Sequence, residues 1–187
     1  MGSALESRNA ADPVTIGLHS PRIITTERLS LLPPGPEHLD DLIRLKADER
    51  VFGIMLHGVR TPARSREELE DDIEFWRVRG YGIWSVFERG TGAFLGIAGL
   101  MERPDGRGVA LRFALWPECR GRGYAREAAQ AALAFGHRAG LRRIIAVAWA
   151  ENIASRAVLQ DIGMRECDEF LHKGRRMLVY ESLRPPG

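Results

Sequence analysis

The chain has 187 residues, of which 44% are hydrophobic and 28% are charged, and its formal net charge is +2. This composition is typical of a globular protein and excludes a collagen, a disordered polyelectrolyte and a disulfide-stapled miniprotein. So small a net charge also gives no reason to expect a polyanionic partner such as nucleic acid.

The start of the chain predicts an arm followed by one folded domain. Residues 1–21 mix small and polar residues with little periodicity, so we expect a mobile N-terminal arm. Residues 22–187 show no internal repeat and no linker, which indicates a single domain. Within it, residues 28–32 predict a short strand that stops at two prolines, and Pro36 opens a helix.

The middle of the chain predicts a second helix and three successive strands. Residues 51–63 contain glycine and proline and indicate a loop or a broken helix. The capping-box sequence that begins at Ser65 predicts the start of the second helix, and Gly80 predicts its end. Turn signals rich in glycine then separate three predicted strands, over residues 82–87, 93–101 and 109–115.

The last third predicts two more helices and three more strands. The helices cover residues 124–139 and 153–162, with Asn152 as the N-cap of the second. The whole pattern predicts one mixed α/β domain. The remaining strands cover residues 144–148, 165–170 and 177–183, with a turn at Lys173 and Gly174 between the last two.

The segment between the third predicted strand of the middle region and the next helix suggests an anion-binding turn. Residues 120–125 read RGRGYA, so two glycines and two arginines directly precede a helix. The first amides of a helix have no internal partner, and glycines let the main chain curl around a phosphate. The segment lacks the lysine of a P-loop and the third small residue of a dinucleotide-binding turn. A tight turn without a ligand explains this segment alone equally well.

Four segments in register resemble the GNAT superfamily of acyl-CoA-dependent N-acetyltransferases. RGRGYA matches the [RQ]-x-x-G-x-[GA] signature of that family, and TERLSL at residues 26–31 resembles the opening of the branch with ribosomal-protein N-terminal acetyltransferases. FLGIAGL at residues 94–100 resembles its central strand, and residues 152–164 resemble its N-x-x-S-x-x-V-x-x-x-x-GM segment. The resemblance covers nearly all of the chain after residue 25.

This resemblance implies a GNAT fold: an α/β protein whose mixed, mostly antiparallel sheet splays between its fourth and fifth strands, with about four flanking helices. Acetyl-CoA would be the cosubstrate, with its pantetheine arm filling the gap between those strands. The arm would pair with main chain around Phe113, Ala114 and Leu115. The residues implied to hold the pyrophosphate are Arg120, Gly121, Arg122, Gly123, Tyr124 and Ala125.

The resemblance also implies that Asn152 and Ser155 contact the far side of the arm or the thiol end. An N-cap explains Asn152 as well, and the two roles are compatible. For Ser155 an ordinary helical position is an equal alternative.

Acyl transfer to an amine needs a neutral nucleophile, because an alkylamine with a pKa near 10.4 is mostly protonated at neutral pH. Glu102, at a strand end near the expected acceptor, is the leading candidate for the general base, and a solvated surface carboxylate is its alternative. A backbone amide near residues 113–115 is the expected donor to the oxyanion. Turn chemistry better explains Asp105, and charge balance with Arg120 and Arg122 better explains Glu118. Loop or surface roles are expected for His38 and His57.

Two positions depart from the family pattern. Leu159 stands where many relatives have a tyrosine that acts as general acid, and Ala110 stands where branch members often have glutamate. Tyr124 lies in the phosphate turn and is no substitute. The protein therefore relies on positioning and water, uses a different base, or no longer catalyses.

The cysteine pattern bears on location and on metals. Cys119 and Cys167 lie far apart and form no CxxC motif, so neither a zinc site nor a disulfide framework is expected. The chain also shows no secretory signal and no apolar run long enough to cross a bilayer. We expect a cytoplasmic protein with no metal and no membrane partner.

The favoured interpretation is direct transfer of acetyl from acetyl-CoA to a primary amine, in a ternary complex. The acceptor is a protein N-terminus or a small molecule, and the resemblance alone suggests a homodimer. A non-catalytic acyl-CoA sensor on the same fold is the first alternative. An RNA- or ribosome-binding module that uses the arginine excess is the second, and the near-neutral net charge argues against it.

Overall fold

A computed structural model describes residues 22–55 and 57–184, so the expected arm over residues 1–21 lies outside the described residues. Among these residues eight strands form one sheet. The predicted strands are all present. The strands are β1 (Ile24–Thr25), β2 (Leu29–Leu32), β3 (Ile83–Glu88), β4 (Phe94–Glu102), β5 (Val109–Leu115), β6 (Arg143–Trp149), β7 (Arg165–His172) and β8 (Arg175–Leu183).

Five α-helices flank the sheet within the described part of the chain, against about four expected. The extra one is a single turn, Glu49–Phe52, which overlaps the start of the segment predicted as a loop or broken helix. Short 3-10 turns at Pro36–His38 and Pro117–Cys119 precede the first and fourth helices. The α-helices are α1 (Leu39–Ala47), α2 (Glu49–Phe52), α3 (Pro62–Arg79), α4 (Tyr124–Arg138) and α5 (Ile153–Asp161).

The sheet is mixed and opens along one line. Its strand order is β1-β2-β3-β4-β5-β6-β8-β7, and every neighbouring pair is antiparallel except β5 and β6. The parallel pair shares one bridge over its described length, between Ala110 and Ile145. β5 stays paired with β4 up to Leu115, and β6 stays paired with β8 up to Trp149. The two strands therefore diverge beyond the bridge. They are the fourth and fifth of the predicted strands, because β1 was not predicted, so the predicted splay is confirmed.

Two cores cover the two faces of the sheet. On one face, helix α4 packs its alanine stripe (Ala128, Ala129 and Ala132) against strand residues such as Leu100 and Ile144. The small side chains let the helix axis lie close to the sheet. The opposite face, over β3–β5, packs against α1–α3. The residues of this second core are Leu42, Leu45, Val51, Phe52, Leu69, Ile83, Ile97 and Ala114.

Helix α3 starts one turn earlier than the sequence predicts. Thr61 is its N-cap, with Oγ1 accepting from the Arg64 amide at 3.1 Å, and Pro62 follows with a preset φ. Ser65, the predicted cap, lies inside the helix and is fully buried. The capping-box prediction was therefore wrong, because Thr61 supplies the capping hydrogen bond one turn earlier and Pro62 fixes the first helical φ. Gly80 ends the helix with φ +71°, as predicted.

Candidate active site

The open edge of β5 forms one wall of the site. The Trp116 amide donates to the Leu95 carbonyl at 2.9 Å, and alternate residues of an antiparallel strand bond to the same neighbour. The NH and C=O groups of Phe113 and Leu115 therefore face the gap, whereas those of Ala114 face β4. Beyond the Ala110 bridge, the described part of β6 supplies no partner for these groups. An extended ligand with amide groups can occupy this edge as an added strand.

The turn before α4 lies at the wide end of the gap. Gly121 and Gly123 have φ of +72° and +77°, a region that favours glycine. The first helical hydrogen bond runs from the Glu127 amide to the Gly123 carbonyl at 3.0 Å. The amides of Tyr124 and Ala125 come before it and therefore have no acceptor within the helix. Together with the exposed side chains of Arg120 and Arg122, this turn can bind a phosphate or pyrophosphate.

The side chain of Tyr124 points away from the ligand side of the turn. It is buried, and its hydroxyl donates to Glu88, which raises the pKa of Tyr124. The guanidinium groups of Arg28 and Arg122 lie 4.7 and 4.8 Å from its ring centroid. The tyrosine therefore anchors the start of α4, and only its backbone amide is positioned to bind an anion.

The TERL motif folds into a clamp on the start of α4. The Glu127 carboxylate accepts from Thr26 Oγ1 at 2.6 Å, from the Arg28 amide at 2.9 Å and from Arg28 Nε at 2.7 Å. Arg28 Nη1 also donates to the Arg122 carbonyl at 2.7 Å. These bonds tie the β1–β2 connection to the anion-binding turn.

Helix α5 follows β6 and begins at the opposite wall of the gap. Asn152 Oδ1 accepts from the Ser155 amide at 3.1 Å, so Asn152 is the N-cap, as the sequence predicts. Ser155 is half-buried in the first turn. Leu159 is 1% exposed and belongs to the core shared with α4. An apolar core residue therefore fills the position where a tyrosine acid would stand.

Glu102 lies at the closed end of the gap. It pairs with Val109, next to the bridge residue Ala110 and away from the glycine turn. Its carboxylate is 45% exposed and forms an ion pair with Arg79 at 2.9 Å. This position gives Glu102 a structural partner and keeps it out of the open part of the gap.

The other polar candidates are distributed over the surface and the α1 side. Asp105 accepts from Arg103 Nη2 at 2.6 Å in the β4–β5 turn. Glu118 is exposed and pairs with Arg50 at 2.9 Å. His38 is buried, with its ring 5.1 Å from Phe87, and His57 is exposed in the loop before α3. Asp105 and His57 lie in a turn and a loop, as expected. Glu118 pairs with Arg50 and not with Arg120 or Arg122. The loop or surface role expected for His38 was wrong, because its ring packs on Phe87.

A charged cluster beneath β5 was missed by the sequence analysis. Glu68 Oε2 accepts from Lys46 Nζ at 2.8 Å, and Oε1 accepts from Arg60 Nε at 2.6 Å. Burial alone would raise the pKa of Glu68, but these two cations outweigh it and hold the pKa at about 2. Arg64 adds a third cation at 3.4 Å. Arg64 also pairs with Glu67 at 3.1 Å, so two carboxylates face three positive charges.

Asp72 and Arg112 lie beside this cluster, on the same side of the sheet. Both are half-buried and close enough to interact electrostatically. Neither forms an ion pair within 4.0 Å among the described residues. The one local signal in the sequence was an arginine in the middle of an apolar strand, since Leu111 and Phe113 flank Arg112.

Cavities also open elsewhere on the described part of the chain. One of about 380 Å³ lies between the loop before α3 and the helix itself, and Glu68 lines it. The other, of about 480 Å³, lies between the end of β6 and the β7–β8 hairpin. No three His, Cys, Asp or Glu side chains of residues 22–55 and 57–184 are grouped so as to hold a metal ion. No helix in those ranges has both the length and the apolar character to cross a bilayer.

Known structures share this architecture. An acetyltransferase (GNAT family) from Bacillus anthracis has a TM-score of 0.73 at 24% identity, over 87% of this chain and 98% of that chain. A ribosomal L7/L12 alpha-N-protein acetyltransferase, solved in complex with coenzyme A, has a TM-score of 0.73 at 19% identity, over 86% and 97% of the two chains. These similarities confirm the predicted fold.

Sequence comparison gives the family. An FsC-acetyl coenzyme A-N(2)-transacetylase from Aspergillus fumigatus is 28% identical over 163 residues, which are 79% of this chain and 67% of that protein. The profile of the acetyltransferase (GNAT) domain matches residues 28–165, well over half of the chain. The chain therefore belongs to the GNAT acetyltransferase family and is an acetyl-CoA-dependent acyltransferase.

Proposed function

We propose that the protein transfers an acetyl group from acetyl-CoA to a primary amine by direct attack in a ternary complex. One observation carries the proposal: β5 and β6 separate after a single bridge, and the gap opens against a glycine turn at the start of α4. A gap of this kind offers hydrogen-bonding groups along the edge of β5, followed by an anion site at the end of that strand. These match the two polar portions of coenzyme A, its amide-bearing arm and its pyrophosphate.

The backbone groups of Phe113 and Leu115 would pair with the pantetheine arm, and Ala114 would support that edge through its bonds to β4. The pyrophosphate would bind along residues 120–125, where the helix start supplies amides and positive potential. Asn152 and Ser155 would border the arm from the β6 side. The structure of the L7/L12 acetyltransferase holds coenzyme A on a similar fold, which supports this placement.

The chemistry needs no covalent enzyme intermediate. The amine attacks the thioester carbonyl carbon, and a backbone NH in the gap stabilises the oxyanion. The thiolate leaves readily because thiols have a pKa of about 8.5. Cys119 is buried and Cys167 is exposed on β7, so neither combines thiolate reactivity with a place in the gap. Glu102 remains a proposed base, tested below beside a second carboxylate.

Two relatives support nitrogen as the acceptor atom. One is named an acetyl coenzyme A-N(2)-transacetylase and the other an alpha-N-protein acetyltransferase. We therefore propose a primary amine, on a protein N-terminus or on a small molecule. The family resemblance further supports a cytoplasmic location and a homodimer. Light scattering would show a particle of about twice 20.9 kDa if the dimer forms.

Steady-state kinetics with acetyl-CoA and a panel of amines test the reaction. Release of free thiol, with initial-rate lines that intersect when both substrates are varied, is the expected result. Parallel lines would overturn the ternary complex. Heat of acetyl-CoA binding without thiol release from any amine would support the sensor instead. Salt-sensitive binding to RNA without coenzyme A binding would support the nucleic-acid module.

A matched pair of glycine variants tests the anion site. Gly121 and Gly106 have φ of +72° and +74°, and a Cβ at either would meet no atom within 4 Å. Gly121→Val and Gly106→Val therefore carry similar backbone strain but lie in different turns. We expect coenzyme A affinity to fall at least tenfold in Gly121→Val alone. Equal affinities in the two variants would contradict the proposed site.

A further inference from the structure

Arg112 marks the inner end of the gap on the α1–α3 side of the sheet. Along β5 it follows the bridge residue Ala110 and precedes Phe113. Phe113 is the first residue past the bridge whose NH faces the gap. Its guanidinium carbon is 5.4 Å from the Phe52 ring centroid, and Nη1 is 3.7 Å from Met101 Sδ. Because the phosphates of coenzyme A would bind at the wide end, the thioester would lie near this inner end.

Asp72 lies on α3, which packs on the face of the sheet that carries Arg112, and the two charges interact electrostatically. Leu69, one turn before it, packs in the core with Ile83 and Ile97 and so fixes this part of the helix over the sheet. The neighbouring Glu68 is engaged by Lys46 at 2.8 Å and by Arg60 at 2.6 Å. Asp72 has no hydrogen bond and no ion pair within the described residues.

Two half-buried charges without ion-pair partners are costly for folding. The α4 side of the gap is closed by core residues, including Leu159 at 1% exposure. An acceptor would therefore reach the thioester from the side on which Asp72 and Arg112 lie. The two side chains are placed to bind a ligand that carries both charges.

We infer that Asp72 and Arg112 form the acceptor site, which takes a small amine that also bears a carboxylate, as an amino acid does. This inference rests on the proposed acetyl transfer. Asp72 binds the ammonium group and accepts its proton, and Arg112 binds the carboxylate through its planar fork. The adjacent cluster has three cations for two carboxylates, so it favours an acceptor with an anionic group over a polyamine.

The transfer balances without a further reactant. One ammonium proton passes to an Asp72 oxygen, and the freed nitrogen lone pair forms the C–N bond at the thioester carbonyl. The C–S bond then breaks, and the thiolate takes the second nitrogen proton. The products are an amide, coenzyme A with a free thiol, and a proton released to water from Asp72.

The surroundings of Asp72 suit this role. Burial raises its pKa to about 6, Lys46 and Arg112 oppose the rise, and Glu68 and Asp71 add to it. A carboxylate with this pKa is ionised at neutral pH and is a stronger base than an ordinary aspartate.

The pH dependence of kcat/KM separates Asp72 from its alternatives. The native enzyme binds the ammonium form of the acceptor at an ionised Asp72. Its kcat/KM should therefore be constant from about pH 6 up to the pKa of the amine. Asp72→Asn should lower kcat/KM at least 100-fold at pH 7. Its residual rate should rise tenfold per pH unit across that range, because it uses only free amine.

Asp71→Asn, an exposed neighbour on the same helix, should keep the native profile. Glu102→Gln is measured beside it, because Glu102 is the alternative base. Retained coenzyme A binding heat shows that each variant is folded. A native profile in Asp72→Asn, or a loss confined to Glu102→Gln, would overturn the assignment of Asp72.

Arg112 is tested with a matched pair of acceptors, an amino acid and the amine that remains after its carboxylate is removed. Arg112→Gln should raise KM for the amino acid by 10- to 100-fold and leave the decarboxylated amine unaffected. Arg112→Lys keeps the charge and should recover part of the loss. Arg66→Gln, an exposed arginine on α3, is the control and should change neither KM.

Equal kcat/KM of the native enzyme for the two acceptors, or a preference for peptide N-termini, would overturn the acceptor class. Native acetylation of other amines would then still uphold the proposed function. If no amine is acetylated although acetyl-CoA binds, the proposed function itself fails.

Discussion

At the scale of single residues, Glu68 supports the charged cluster beneath β5. Its pKa is about 2 against an ordinary 4.5, which corresponds to about 3 kcal/mol. Glu68→Gln should therefore lower the free energy of unfolding at pH 7 by about 3 kcal/mol, measured by urea denaturation, because Lys46 and Arg60 lose their partner.

The sign of the pH dependence follows from the lowered pKa. The native protein gains this stability above pH 4.5 and loses it as the pH falls towards 2, so the difference from Glu68→Gln should shrink in acid. Glu67→Gln, whose side chain is 63% exposed, is the control and should differ little from the native protein at either pH.

Asp72 predicts the opposite effect on stability. Its pKa is raised from 3.8 to about 6, so its ionisation destabilises the native state increasingly from pH 3.8 to 6 and fully above that. Asp72→Asn should be about 3 kcal/mol more stable than the native protein at pH 7 and similar to it at pH 4. Urea denaturation at the two pH values checks this, with Asp71→Asn as control. A less stable Asp72→Asn at pH 7 would contradict the stated surroundings of the carboxylate.

At the scale of elements, the start of α4 depends on its clamp to the β1–β2 connection. Glu127→Gln keeps the shape of the side chain but removes the charge that accepts hydrogen bonds from Thr26 and Arg28. We therefore expect the free energy of unfolding to fall by about 1–3 kcal/mol. Coenzyme A affinity should fall with it, since the clamp also holds the Arg122 carbonyl. Denaturation and calorimetry test both effects. Glu70→Gln, exposed on α3, should change neither.

The elements also show how far local sequence carries. Strand patterns and glycine turns predicted β3, β4, β5 and the start of α4 closely, because these signals come from neighbours in the chain. The start of α3 was misplaced since two capping sequences compete within five residues, and Thr61 with Pro62 outcompetes Ser65. The two-residue strand β1 was not predicted, because it is too short to show an alternating pattern.

At the scale of the whole molecule, a bound coenzyme stabilises the fold it binds. Coenzyme A at 100 times its Kd should add about 2.7 kcal/mol to the free energy of unfolding, since the unfolded chain has no gap and no turn. For a domain of this size we expect Tm to rise by about 5–10 °C. Differential scanning calorimetry measures this rise in Tm. Coenzyme A should still raise the Tm of Gly106→Val but should raise that of Gly121→Val much less. No shift in the native protein would contradict coenzyme binding.

The sequence by itself determined the family resemblance, the order of the elements and the glycine turn before α4, which we propose binds an anion. Each of these depends on residues close together in the chain, where spacing and side-chain type report directly on geometry. Tertiary structure alone decided which backbone groups of β5 face the gap, and that Glu102 is paired with Arg79. It also brought Asp72 on α3 near Arg112 on β5, because the apolar packing of a helix on a sheet sets that distance and no local pattern encodes it.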